Sequence, residues 1–455
     1  MVIRQRPASF AISLALVLIA GLAATWWATG GPFSQAARDV GSAGSAAGSD
    51  PAISTDRAVA TLQNRLQQEP TFAAGYAQLG DAYLQKARET ADPSYYVKAD
   101  AVLRQALSLD AQSFDAMVGL GSLALSRHQF RDALQWGEQA RVLNPYSVDA
   151  YAVIGDAHTE LGEYDEAIAA FQKMIDLKPG LPAYSRVSYA RELHGDADGA
   201  LAAMTKAVKL GGPGTEATAW TRVQVGNLYF NRGDYTNASR YYKQSLFDYK
   251  DYPHGYAGLA KVATARGHYA DAIKLYKRVT RVLPLPEYVI ALGDVQQAAG
   301  KTQDAARTYG LVDIEDQLLQ AANVDSDVEI AQFNVDHSRN VATVLQQAQQ
   351  GAERRPSLKG YDVLAWTLYK TGDVTGAQSA MKHALKLGTK DPLMLFHAGM
   401  IAYAAGDHSA ARGYLEFAAT INPHFSVLYE TTATRLLDQL RHEAGATRTT
   451  SRRSK

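Results

Sequence analysis

The chain repeats itself at an interval of 34 residues, and that interval limits what it can fold into more than any other feature. In GDAHTELGEYDEAIAAFQKMIDLKPG, which begins at Gly155, Gly155 is answered by Gly121, Ala167 by Ala133, Met174 by Ala140 and Pro179 by Pro145. Self-similarity at a fixed period of this length marks a stack of supersecondary units, each of which buries its apolar face only against its neighbours. Small residues such as Gly155 and Ala167 stand where two helices of a unit must approach. Large ones such as Tyr151, Ile154 and Phe171 fill the space between neighbours, and Pro179 stops the second helix by removing a donor and clashing with the preceding turn.

The register returns along most of the chain. Tyr76, Leu79, Gly80 and Tyr83 open a first unit, in which an insertion near ETADPSYY stretches the helix pair before Ala99, Leu103 and Ala106 resume the pattern. Leu120 and Gly121 lead to Ala133, Ala140 and Pro145; Val225, Gly226, Tyr229, Ala238 and Tyr242 are followed by Leu259, Ala260, Ala263, Ala272, Tyr276 and Pro284. Leu292, Gly293, Ala305 and Tyr309 make another unit, and Ala365, Ala377 and Ala384 repeat at Gly399, Ala411 and Ala418 before Pro423. Two units are degenerate, over residues 181–214 and 325–358. Together these residues resemble tetratricopeptide repeats, paired antiparallel helices stacked into a superhelix. The resemblance covers most of residues 53–425 and implies an all-α, right-handed superhelical solenoid of about ten helix pairs.

The ends differ from the body. Arg4 and Arg6 precede residues 9–28, SFAISLALVLIAGLAATWWA, which hold 20 residues without a charge, and a helix of that length spans about 30 Å of hydrocarbon. Residues 1–30 are therefore expected to form a transmembrane signal anchor, with the positive end in the cytoplasm and the body outside, or else a signal helix removed by cleavage. Residues 31–52, rich in Gly, Ser and Ala, are expected to be a flexible tether. At the far end, residues 426–455 are expected to be a capping helix over 427–443, packing through Leu428, Leu436, Leu437 and Leu440, and a basic, disordered tail.

Composition removes several classes of function. Lys+Arg and Asp+Glu both number 46, so net charge is zero and nucleic acid is not an expected partner. With no cysteine there is no disulfide, thiolate metal site, cysteine nucleophile or lipoprotein anchor. NVDSDVE, starting at Asn323, spaces oxygens like a calcium loop but has Val328 where glycine is needed and Asn334 where a bidentate Glu is needed. No histidines fall four apart on one helix, GGPGT at Gly211 lacks a phosphate loop's lysine, and there is no G-x-S-x-G. The expectation is a protein without catalytic residues, cofactor or metal.

What the resemblance implies instead is a concave wall lined by first-helix residues. In the early units these include Asp81, Asp115, Asp149, Asp156, Glu160 and Glu192, with no Lys or Arg among them. Later come Trp220, Asn227, Phe230, Asp294, Phe333, Trp366, Tyr369, Phe396 and Tyr403, with Lys261, Lys359 and Lys370 interspersed. An acidic wall turning aromatic suits a polypeptide with basic residues and apolar anchors. A narrow superhelix filled by its own side chains is the rival arrangement. Asn227 alone matches the Lys and Asn that grip a chaperone's terminal carboxylate in some members, while Asp81, Asp156 and Asp294 occupy the equivalent sites and would repel it. The function expected is a membrane-tethered or exported protein–protein interaction scaffold. The alternatives are a structural assembly factor of an envelope complex acting through convex or terminal surfaces, or a hydrolase hidden in residues 325–358.

Overall fold

The computed structural model describes residues 51–453; the expected membrane or signal helix, and almost all of the expected tether, lie outside the described residues. Among the described residues every regular element is a helix. Helix α1 (Pro51–Gln68) stands alone and is followed by ten pairs. The first five are α2 and α3 (Ala73–Thr90, Ser94–Leu109), α4 and α5 (Phe114–Ser126, Phe130–Leu143), α6 and α7 (Val148–Glu160, Tyr164–Leu177), α8 and α9 (Leu181–Leu193, Ala197–Leu210), and α10 and α11 (Glu216–Asn231, Tyr235–Asp248). Then come α12 and α13 (Pro253–Ala265, Tyr269–Val282), α14 and α15 (Pro286–Ala298, Thr302–Ala321), α16 and α17 (Asp327–Asp336, Val341–Arg354), α18 and α19 (Leu358–Lys370, Val374–Ala384), and α20 and α21 (Pro392–Ala404, His408–Ile421). Helix α22 (Glu430–Arg453) closes the array. None of these helices is long and apolar enough to cross a membrane.

The repeated residues make the pairs by interlocking. A methyl group added at Gly155 would lie 2.4 Å from the Phe171 ring, at Gly226 2.4 Å from Tyr242, and at Gly293 2.2 Å from Tyr309, so each glycine is the slot for its own unit's aromatic knob. Asp196, Asp234, Asp373 and Asp407 cap the second helices of four units, each accepting from a backbone N–H three residues on. Between the two helices of most units a glycine in the left-handed region makes the turn, as at Gly162 (φ 72°) and Gly233 (φ 73°). Helices α5, α7 and α21 each end two residues before the proline expected to stop them. Both degenerate units form complete pairs, and the stretched first unit takes up its insertion in longer helices.

Both ends are covered, the far one much as expected, with one difference. Val59 and Leu62 of α1 pack on the first unit, and Leu436, Leu437 and Leu440 of α22 are buried on the last. Helix α22, however, begins at Glu430, not Val427, and Leu428 is not on it. The preceding residues turn into the superhelix, because Phe425 and Tyr429 find aromatic partners there. The tail expected to be disordered continues α22 as far as Arg453.

The stack curves until later units meet earlier ones along a seam. Asp325 donates its backbone N–H to Arg127 O at 2.9 Å, and His128 Nδ1 lies 2.6 Å from Asp325 O. One unit further, Leu358 N–H donates to the Tyr164 hydroxyl at 2.8 Å, and Lys386 Nζ to Gly162 O at 3.2 Å. Gly195 abuts the backbone of Gly388, Asn422 donates to Phe230 O at 2.9 Å, and at the other end Ala91 packs on Leu283 and Leu285. Tyr235 and Asn422, 187 positions apart, and His128 and Asp325, 197 apart, bracket the spacing of most seam partners. One superhelical turn therefore takes between five and six repeat lengths, and the concave wall becomes the lining of a lumen.

Candidate binding lumen

First helices of each unit supply the lining. Asp81 on α2, Asp115 on α4 and Asp149 on α6 form a ladder at the repeat interval, and none of the three is in an ion pair among the described residues. Burial, then Asp115 and Asp149, hold Asp81 well above the usual carboxylate range against the pull of Arg88. Burial likewise pushes Asp149 up to about 6, opposed by Arg186 and Lys178.

Asp156 and Glu160 differ from the sequence expectation of a wall free of bases. Arg186 Nε and Nη2 hold both oxygens of Asp156, at 2.7 and 2.5 Å. Arg355 reaches across the seam to Glu160 and, at 2.7 Å, to Glu329. All of Asp156, Arg186, Glu160 and Arg355 are buried. The partners escaped the sequence reading because Arg186 lies in a degenerate unit and Arg355 arrives from 195 residues away.

Two cavities occupy the remaining space. One, of about 510 Å³, is lined by Glu160, Tyr189, Glu192, Arg355, Asp362 and Asp391 among others, and runs out to exposed Lys390 at the seam. Burial pushes Glu192 up to about 7, opposed by the hydrogen bond from Asn231 Nδ2 at 3.2 Å and by Lys261, with Asp391 adding to the rise. The second, of about 460 Å³, is lined by Asn227, Phe230, Lys261, Tyr276, Glu287 and Asp294 among others. Lys261 Nζ sits 4.3 Å above the Phe230 ring. Burial lowers the Lys261 pKa against the pull of Asp391 and Glu192, both on the lining of the first cavity. Asn227 accepts from the Tyr242 hydroxyl at 2.8 Å. Asp294 is engaged by the Tyr309 hydroxyl and by His337 Nε2, both at 2.8 Å.

The expected aromatic stretch divides. Trp220, Phe230 and Phe333 are buried in inter-helix cores and give their faces to neighbours. Trp366 is likewise buried, in the core of the last units, whereas Tyr369, stacked 5.0 Å from it, and Tyr403, whose hydroxyl receives Gln439 Nε2 at 3.2 Å, are half-buried. Trp366 is fixed by residues the sequence did not single out. Its Nε1 donates to Asp336 Oδ1 at 2.9 Å, and its ring stacks 4.2 Å from His397, whose Nδ1 meets Asp362 Oδ1 at 2.8 Å. The degenerate unit over residues 325–358 is a helix pair like the others, in which Asn334 Nδ2 donates to Gln347 Oε1 at 3.3 Å. Among the described residues no three His, Asp or Glu side chains converge as a metal site.

The profile of the Tetratricopeptide repeat family matches residues 120–182, 225–284 and 363–424. No curated protein matches the chain. Among solved structures, the Cut9–Hcn1 hetero-tetramer of the APC/C is 16% identical, covering 81% of this chain and 76% of that one with a TM-score of 0.38. A repeat protein from Parabacteroides merdae is 15% identical over 53% of this chain and 92% of its own, with a TM-score of 0.41. A thermophilic repeat protein from Thermus thermophilus is 20% identical over 44% of this chain and 98% of its own, with a TM-score of 0.36.

Proposed function

From the premise that this chain is a tetratricopeptide repeat protein, and so a scaffold for protein–protein interaction, we propose that it holds a polypeptide segment within its lumen, outside the cytoplasmic membrane and tethered or exported by its amino-terminal apolar segment. The observation that carries this reading is the ladder of Asp81, Asp115 and Asp149 on successive first helices, three carboxyl groups in no salt bridge among the described residues, while Asp156 and Glu160 are paired with Arg186 and Arg355. Basic side chains of an extended segment would meet those carboxylates in turn. Apolar side chains would reach the aromatic wall of the last units.

Replacing Asp81, Asp115 and Asp149 together by Asn removes the ionisable carboxyl groups and keeps the shape. The expected result is capture of Lys-rich test peptides weakened at least tenfold, with the salt dependence of binding flattened. Peptide affinity that is unchanged in the folded triple variant rejects the reading. Location is checked separately: the full chain should sediment with membranes and a chain starting at Asp50 should not.

A second reading, assembly through outer surfaces, is favoured by Val142 and Tyr146, both 76% exposed, near the end of α5, and Phe247, 92% exposed, near the end of α11. Light scattering separates the two. A concentration-independent monomer supports lumen capture, and an oligomer dispersed by Phe247→Ser supports assembly.

A further inference from the structure

The groove of the last units is already filled by the chain itself. Residues 422–429, between α21 and α22, form no helix and cross the lumen as a strap. Phe425 lies 5.5 Å from Phe396. Tyr429 stacks 5.0 Å from Phe396, meets Trp366 edge-on at 5.5 Å, and donates its hydroxyl to Asp336 Oδ1 at 2.7 Å. An aromatic side chain and a tyrosine four positions later thus occupy the place that the aromatic wall would offer a ligand.

The floor also has supports that the strap does not supply. With the strap in place Trp366 and Phe396 are fully buried. Trp366 is held by Asp336 and by the His397–Asp362 pair beneath it. Asp336 also receives Gln332 Nε2 at 2.6 Å. The strap, by contrast, is half-buried at every position from Phe425 to Tyr429. On its other side Phe425, Ser426 and Val427 border the cavity of about 460 Å³, which leaves space for it to shift.

We propose that residues 422–429 are an internal ligand, and that the groove they cover, floored by Trp366 and Phe396 and rimmed by Asp336, receives a partner segment carrying an aromatic residue and, four positions on, a tyrosine. This deepens the reading of the lumen as a polypeptide site and rests on it. Binding of the partner is coupled to lifting of the strap, so the unaided protein is held in check by its own chain. Because the strap is tethered at both ends, its effective concentration is high and free peptide competes poorly.

The test is the affinity of a fluorescein-labelled peptide of residues 420–432 for three full-length proteins. These are the unaltered chain, the Phe425→Ala/Tyr429→Ala variant, and a variant with a Gly-Ser insertion of about ten residues after Pro423, which lowers the strap's effective concentration and changes no packed side chain. Both variants are expected to bind at least tenfold more tightly than the unaltered chain, and a peptide with both aromatics replaced by Ala should not bind. A dimer of the insertion variant, exchanging straps between copies, also supports the proposal. Variants that melt as cooperatively as the parent and bind no more tightly overturn it; if the double substitution unfolds the protein, the insertion alone decides. Failure here, with Lys-rich peptides still captured through Asp81, Asp115 and Asp149, removes the strap's role and leaves the acidic lining in place.

Discussion

Tyr242 is held between two glycines, Gly226 of its own unit and Gly258 of the next, and a methyl group at either would come within 2.4 Å of its ring. The pinch joins neighbouring units, so Gly258→Ala is expected to cost about 1–3 kcal/mol and to lower the melting temperature in calorimetry, with Tyr242→Leu in the same chain recovering part of the loss. Glu315 is a different kind of residue. It is 2% exposed, neither carboxylate oxygen has a hydrogen-bond partner among the described residues, and burial together with Glu287 pushes it up to about 9. Its folded pKa lies above the unfolded value, so the folded state keeps a proton that the unfolded chain releases. Stability is therefore expected to fall as pH rises from about 4.5 to about 9, by on the order of 1 kcal/mol per unit. Denaturant melts across that window should show the slope, and Glu315→Gln should flatten it while raising stability at neutral pH. The slot at Gly226 was legible in the sequence, because the period places it; the one at Gly258 was not, since the period marks Leu259 and Ala260 there. Glu315 was not, since no local pattern distinguishes a carboxylate at the surface from one sealed inside.

Helices and the turns between them divide the molecule's polar bonds in two. Bonds within a unit follow from the period. Bonds across the seam join turns that the period treats as equivalent. Arg355 shows what the seam contributes: buried itself, it neutralises Glu160 on one side and Glu329 on the other. Arg355→Met leaves Glu160 buried and Glu329 half-buried without their shared cation and is expected to destabilise by about 3–5 kcal/mol. Adding Glu160→Gln and Glu329→Gln should restore much of that. Hydrogen exchange should report the single change first at residues 323–325 and 355–358, where the seam's backbone bonds lie. These same bonds mark where sequence reading stopped. About ten helix pairs were visible from small and large residues at fixed spacing, and the far end helix from its row of leucines, whereas the acidic wall was misjudged at Asp156 and Glu160 because their partners come from a degenerate unit and from a distant turn. The inward strap was hidden in the run HFSVLYE, whose apolar residues suit a capping helix as well as a groove.

At the scale of the whole molecule, an open stack of repeats has only nearest-neighbour coupling and loses cooperativity as it lengthens. Here the second superhelical turn rests on the first, so early and late units are coupled through more than the chain between them. A protein ending at Ala321 keeps α1 to α15 and removes most of the seam. It is expected to unfold over a broader temperature range than the full array, with probes near Ala91 and Tyr229 separating in midpoint, where the intact chain gives coincident transitions. The seam also makes the molecule count. In an unclosed array, a duplicated unit only lengthens the rod, but here one extra unit of 34 residues between α9 and α10 would bring Arg355 opposite His194 in place of Glu160 and misalign every later rung in the same step. Descendants of this chain can vary their loops and surfaces freely, yet the tally of hairpins between one rung and its mate is fixed, like the number of teeth on a wheel that must mesh with itself.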